Sequence, residues 1–102
     1  MRPQSVEEAI AQVSRVVVLL RLNGADGWAE NLESCVAEMT ARYSAKEALL
    51  TIGGWCHAKA LGEAIQSDAW WEWQEEVERL RDSCAHAFNE LEQMPSDPAL
   101  WE

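Results

Sequence analysis

The longest helical pattern of apolar and polar residues in this chain lies between residues 68 and 94. Apolar residues recur there at alternating steps of three and four, which is the spacing of a helix that packs along others. The apolar positions are Trp70, Trp73, Val77, Leu80, Cys84, Ala87, Leu91 and Met94. The pattern predicts a long fourth helix over residues 68–94, which Asp68 or Ser67 caps and Pro95 ends.

Trp71 lies outside this apolar stripe. At about 100° per residue it points to the opposite half of the helix. Glu75, Glu78 and Asp82 follow one, two and three turns later on the same side. Tryptophan is enriched among the residues that dominate binding at protein interfaces. These four residues are therefore the candidate partner-binding residues, and the pattern leaves open whether a neighbouring element covers Trp71 or whether it is an exposed anchor.

The first two predicted helices are defined by polar signals at their ends. A capping box at residues 5–8 begins a helix over residues 6–22, with Ser5 as the capping residue. Gly24 ends this helix, because glycine readily takes the left-handed conformation that follows a last helical turn. A second helix is predicted over residues 27–42.

The third segment contains two adjacent glycines in an otherwise helical pattern. A second capping box, with Ser44 as the capping residue, begins a helix over residues 45–65. Gly53 and Gly54 interrupt it, and each interior glycine costs about 1 kcal/mol relative to alanine. We therefore expect this helix to be broken or kinked at Gly53-Gly54.

Together these patterns predict an all-α fold, an antiparallel bundle of four helices, or of five if the third is divided at the glycines. Residues 1–94 form a single helical domain, and residues 95–102 form a short C-terminal tail. At 102 residues the chain is long enough for one modest hydrophobic core. We expect that core to include Trp28, Trp55, Trp70, Trp73, Cys35, Cys56 and Cys84.

The formal net charge of −10 narrows the choice of partner. Nucleic acid and anionic membranes both require a positive surface, so direct binding to either would work against the overall field. A basic protein is favoured instead, including one that itself handles nucleic acid. The odd number of cysteines, far apart in sequence, indicates reduced thiols, and no signal-peptide pattern is seen. A cytoplasmic location is the expectation.

Two cysteine–histidine neighbours are candidates for metal binding, but their spacing is unsuitable. Zinc needs four converging ligands, whereas Cys56 and His57 diverge, as do Cys84 and His86 on a helix. The glutamates of the fourth helix lie mostly on its outward arc, where solvated carboxylates make poor general acids. No phosphate-binding loop or nucleophile motif is present. We therefore expect no cofactor, no metal site and no enzymatic activity.

A set of positions in the middle of the chain is similar to those of a known family. These positions are Leu19-Leu20, Gly24, Trp28-Ala29, Leu32 and Gly53-Gly54. In these positions the chain resembles a family of small uncharacterised bacterial proteins, a likeness that implies no activity. In size, charge and predicted helicity it also resembles small acidic bacterial and phage inhibitors, such as toxin-immunity proteins and anti-CRISPRs.

The second resemblance and the charge imply the same function. Both indicate a non-enzymatic inhibitor that binds a basic protein surface, on a nuclease, a toxin or a nucleic-acid-binding complex, and blocks its nucleic-acid or substrate site. The alternative is a structural homo-oligomer, for example a homodimer, without an inhibitory role. Such an oligomer would bury its surplus tryptophan surface against itself.

Overall fold

The computed structural model describes residues 3–66, residue 68 and residues 70–94, and this part of the chain is helical. The α-helices are α1 (Gln4–Leu22), α2 (Asp26–Ala37), α3 (Arg42–Trp55) and α4 (Trp70–Gln93), with a 3-10 helix (Leu61–Glu63) before α4. The prediction of an all-α fold is confirmed for these residues. The predicted tail over residues 95–102 and the predicted cap Ser67 lie outside them. None of the helices described contains an apolar stretch of the length that a membrane-spanning helix requires.

The core lies between helices that each pack against two others. α4 packs against α1 and α3, and α2 packs against α1 and less extensively against α3. The side chain of Arg42, at the start of α3, donates from Nε to the carbonyl oxygen of Leu91 near the end of α4 (3.0 Å). The largest fully buried side chains are Val6, Val13, Val16, Leu20, Leu32, Leu49, Ile52, Leu61, Leu80, Cys84 and Leu91. Burial of each large aliphatic side chain contributes roughly 1.5–3 kcal/mol.

The capping residues predicted for the first and third helices, Ser5 and Ser44, are both wrong. α1 begins at Gln4, directly after the extended Pro3 (ψ 152°), and the hydroxyl of Ser5 is buried with no hydrogen-bond partner among the described residues. Ser44 lies in the first turn of α3 instead of preceding it. Its hydroxyl accepts a hydrogen bond from the backbone N–H of Ala41 (3.2 Å), so it caps the helix from inside.

α1 ends at the predicted place, whereas α2 ends early. Gly24 has a φ of +79°, a left-handed conformation that glycine adopts readily. The side-chain Nδ2 of Asn23 donates to the carbonyl oxygen of Leu19 (2.8 Å) in the last turn of α1. α2 ends at Ala37 rather than at residue 42. Met39 is nevertheless buried, so the loop after α2 still contributes to the core.

The segment predicted as a third helix over residues 45–65 is α-helical only as far as Trp55. Gly53 and Gly54 lie in the last turn of α3, and neither has a positive φ. An irregular stretch then leads to the 3-10 helix. This arrangement leaves the first turn of α4 facing a short connecting segment rather than a helix.

Candidate functional site

The outward side of α4 carries all four candidate partner-binding residues. Trp71 is 75% exposed, and Glu75, Glu78 and Asp82 are exposed along the same side of the helix. The question that the sequence left open for Trp71 is thereby answered, since its side chain is exposed rather than covered by a neighbouring element. We refer to these four residues as the acidic face of α4.

Trp70 extends the exposed aromatic surface next to the acidic face. Its ring packs edge-on against that of Trp71, with centroids 4.7 Å apart and an interplanar angle of 78°. The prediction that Trp70 belongs to the core is wrong, because this residue is 39% exposed. α3 has already ended at Trp55, so the first turn of α4 lacks a helix to bury Trp70. Its ring instead borders a surface hollow that Glu63 and Asp68 also line.

The other three tryptophans predicted for the core behave differently from Trp70. Trp73 is buried, at 3% exposure. Trp28 and Trp55 are half-buried and pack against the core, with their rings edge-on to each other at a centroid distance of 5.6 Å. Within α4, therefore, neighbouring tryptophans divide between the core and the surface.

Trp73 and Gln74 attach the start of α4 to the connecting segment before it. The Nε1–H of Trp73 donates to the carbonyl oxygen of Leu61 (2.7 Å), and Nε2 of Gln74 donates to the carbonyl oxygen of Gly62 (2.8 Å). A glycine is required at this point, because a Cβ on Gly62 would lie 2.9 Å from the carbonyl oxygen of His57. These hydrogen bonds therefore hold in place the start of α4, from which the exposed side chains of Trp70 and Trp71 project.

Glu76 differs from the other acids of α4 because its carboxylate is buried. It accepts hydrogen bonds from Nε of Arg15 (3.0 and 3.1 Å), Nε2 of Gln12 (2.9 Å) and Nη1 of Arg79 (2.8 Å). The expectation that the glutamates lie on the outward arc is wrong for this residue. The burial of Glu76 could have been predicted from two hydrogen-bond donors at the edge of the apolar stripe of α1. They are Gln12 and Arg15, which lie one turn apart. The cluster holds α1 against the first half of α4.

We expect Glu76→Ala to lower the free energy of unfolding by about 1.5–3 kcal/mol, the usual effect of losing hydrogen bonds to a charged group. The side chains of Arg15 and Arg79 are 64% and 59% exposed, so they regain water when the carboxylate is removed. Urea unfolding measures the change. Glu78→Ala, on the exposed side, serves as the control and should stay within about 0.5 kcal/mol of the parent. Equal effects of the two substitutions would contradict a stabilising role for the cluster.

Most of the negative charge on the acidic face is not neutralised within the chain. Glu75 lies 3.9 Å from Nη2 of Arg79, an exposed pair one turn apart that contributes little. Glu72, Glu78 and Asp82 form no ion pair with other described residues. A positively charged partner would therefore meet exposed carboxylates beside an exposed tryptophan.

The cysteines occupy core positions, as the sequence predicts, and all three are buried free thiols. Burial raises the pKa of Cys84 to about 12 and that of Cys56 to about 11, so both stay protonated at neutral pH and are poor nucleophiles. The neighbouring His86 and His57 are exposed and so diverge from them. Among the described residues, no three His, Cys, Asp or Glu side chains are grouped to hold a metal ion.

The acidic face is thus defined by its exposure, its charge and the hydrogen bonds that hold the start of α4. In comparisons with known proteins, no family model matches this chain, and no match was found among curated proteins or solved structures. The two resemblances described above therefore stay expectations. The function of the chain has to be inferred from its own residues.

Proposed function

We propose that this protein is a non-enzymatic acidic inhibitor, of the anti-CRISPR or toxin-immunity kind, that binds a basic protein surface through the acidic face of α4. The observation that carries the proposal is the 75% exposure of Trp71 in the most acidic part of the chain. A large aromatic side chain in water gains free energy when a partner covers it. Exposed carboxylates on the same side restrict that partner to a positively charged one.

The charged and aromatic residues have separate roles in this proposal. Glu75, Glu78 and Asp82, together with the net charge of −10, accelerate encounter with a basic partner and reject acidic ones. Trp71 supplies affinity once water is excluded from its ring. Exposed charges are screened over about 10 Å at 0.1 M salt, so complex formation should weaken as salt rises.

The partner is a nuclease, a toxin or a nucleic-acid-binding complex, because the basic site of such a protein complements this face. A helix about 10–12 Å across, with acids on successive turns, has the shape and charge to occupy a groove that otherwise binds phosphates. Occupation of the groove would block nucleic acid or substrate without any chemistry. The three free cysteines fit action in the cytoplasm, where thiols stay reduced.

A fixed arrangement of the helices underlies this function. We propose an antiparallel four-helix bundle in which the third helix is interrupted after Gly53-Gly54. The hydrogen bond between Arg42 and Leu91 supports opposite directions for α3 and α4. The cluster around Glu76 supports a fixed register between α1 and α4.

Capture with two charge-matched variants tests the proposal. Glu78→Lys changes the acidic face, whereas Glu30→Lys makes the same change in net charge on an exposed position of α2. Tagged parent protein and the Glu30→Lys variant should retain a basic protein from cell extract, and Glu78→Lys should lose it. The retained protein is then identified, purified and assayed, and the parent chain should inhibit its nucleic-acid binding or its activity. An equal loss of the partner from both variants would show that net charge alone, and not this face, is responsible, and full retention by both would contradict the role of Glu78.

A further inference from the structure

A hollow between α3 and α4 has the size and the lining of a small-molecule site. Its volume is about 380 Å³, and the apolar residues Leu49, Ala85 and Phe88 help to line it. Sites for small molecules measure roughly 300–1,000 Å³, are mostly apolar and occur between the helices of bundles. None of the described residues that line this hollow belongs to the acidic face.

Two glycines keep the hollow open on the side of α3. Gly53 and Gly54 both line it, and a Cβ on either would meet nothing within 4 Å. Their φ angles are not positive, so the backbone conformation does not require glycine there. Within a helix glycine is less favourable than every residue except proline, and no contact within the described chain explains this pair. What the two glycines provide is space in the hollow.

The charges around this hollow distinguish it from other hollows on the surface. No carboxylate is among the described residues that line it, and the charged residue among them is Arg81. Two other hollows, beside Trp73 and beside Trp70, each contain two or more carboxylates. In a chain with 18 acidic residues and a net charge of −10, a hollow without a carboxylate is a place where a negative charge meets little repulsion.

The guanidinium of Arg81 forms no ion pair or hydrogen bond with other described residues. Each of the other described arginines donates to an oxygen atom of the chain, and three of them donate to carboxylates. Glu78 and Asp82, the acids nearest to Arg81 along α4, do not pair with it. A guanidinium with free donors binds a carboxylate through two parallel hydrogen bonds. The hollow thus combines apolar walls with one group that binds an anion.

We propose that this hollow binds a small apolar molecule with one carboxylate group, such as an aromatic carboxylic acid. The carboxylate binds the guanidinium of Arg81. The apolar part packs on Leu49, Ala85 and Phe88 beside the glycines, and its removal from water stabilises the complex. One negative charge suits the site better than several, because a chain of net charge −10 repels phosphates and nucleotides more strongly.

The ligand site is separate from the acidic face, and it does not depend on the inhibitory function. Trp71 lies about 15 Å along α4 from Arg81, the residue of α4 nearest to it that lines the hollow. A ligand in the hollow therefore leaves the acidic face free for a protein partner. Failure of the inhibitor proposal would leave this site in place, and the reverse also holds.

Nuclear magnetic resonance of the isotope-labelled full chain tests the site, with naphthoate as the probe. The backbone amide signals of Gly53, Gly54 and Ala85 should shift saturably as naphthoate is added. The expected dissociation constant is about 1 mM, the order that a ligand of about 13 non-hydrogen atoms reaches. The signal of Gly27, an exposed glycine in the first turn of α2, should not shift. Naphthamide has the same rings without the charge and should bind at least about tenfold more weakly.

Three variants locate the carboxylate and the rings. Arg81→Gln removes the guanidinium and should raise the dissociation constant for naphthoate at least about tenfold. Lys59→Gln makes the same change in net charge at an exposed lysine outside the hollow and should bind naphthoate as the parent does. Gly53→Gln fills the hollow and should abolish the shifts at Gly54 and Ala85. Circular dichroism should show that its fold is kept, because a Cβ at this position meets no neighbouring atom.

The proposal is overturned if the glycine signals of the hollow show no saturable shift at about 10 mM naphthoate. It is also overturned if naphthoate and naphthamide bind the parent equally, or if Arg81→Gln and Lys59→Gln weaken binding to the same extent. Shifts confined to the indole signals of Trp70 and Trp71 would place the probe on the exposed rings and contradict the site as well. Arg81→Gln keeps the test decisive if Gly53→Gln does not fold, because the exposed side chain of Arg81 makes no hydrogen bond within the described chain.

Discussion

Leu80→Ala is expected to lower the free energy of unfolding by about 2–5 kcal/mol, the range of large-to-small changes in a packed core. Leu80 has 0% exposure and lies in the middle of α4. α1 and α3 both pack against this helix, so the surrounding side chains are held from two sides and cannot close the gap. The free energy of unfolding therefore falls for two reasons: the removed methyl groups no longer contribute their burial, and a cavity remains in their place. Urea unfolding monitored by circular dichroism measures it.

Leu22→Ala is the matched control for this prediction. Its side chain is 77% exposed, so the same chemical change removes little buried surface and should shift stability by no more than about 0.5 kcal/mol. Both variants should be unfolded at one protein concentration, because self-association also contributes to apparent stability. If Leu80→Ala unfolded with the parent midpoint and slope, the packing of α4 described above would be wrong.

Trp71→Ala is expected to weaken partner binding by more than about 1 kcal/mol, and by 2 kcal/mol or more if Trp71 is the dominant contact, while the melting temperature stays that of the parent. The reason is that the ring is 75% exposed in the free protein and contributes almost nothing to the core. Isothermal titration with the captured partner, together with melting of the same sample, separates the two effects. Unchanged affinity would reduce the acidic face to a solvated helix surface.

Trp73→Ala and a charge reversal give this experiment its controls. The ring of Trp73 is buried and hydrogen-bonded, so its loss should lower the melting temperature, in contrast to the loss of Trp71 two residues earlier. Glu75→Lys combined with Glu78→Lys should slow association with the partner, because the exposed charges act mainly on encounter. A stability loss for Trp71→Ala equal to that for Trp73→Ala would show that Trp71 belongs to the core.

The interior of α4 was predictable from sequence because helical period alone determines which residues share a side. Trp73, Val77 and Leu80 face the core and are buried, and the acidic face points away from it. Trp70 obeys the same period but is exposed, because its burial depends on a neighbour that ends too early. The end of α3 is determined outside α4, so the sequence pattern of α4 could not predict that Trp70 would lack a covering helix.

The capping residues of α1 and α3 and the burial of Glu76 were mispredicted for related reasons. A serine is the capping residue of a helix only if it directly precedes the first helical residue. The residues in that position are Pro3 for α1 and Ala41 for α3, so Ser5 and Ser44 lie within the first turns instead. A glutamate becomes buried only if donors on another helix meet it. The pattern along α4 alone cannot distinguish Glu76 from its exposed neighbours, because two of its donors, Gln12 and Arg15, lie on α1.

The buried cysteines give this protein internal reporters of its own fluctuations. Cys35 lies in α2, Cys56 follows the last residue of α3, and Cys84 lies in α4, so the three thiols sample different parts of the core. A buried, protonated thiol does not react until the structure around it opens. The rate at which a reagent modifies each thiol in the native state therefore reports how often the segment around that cysteine separates from the rest of the core. Tryptophan fluorescence, summed over six rings, cannot resolve such local openings.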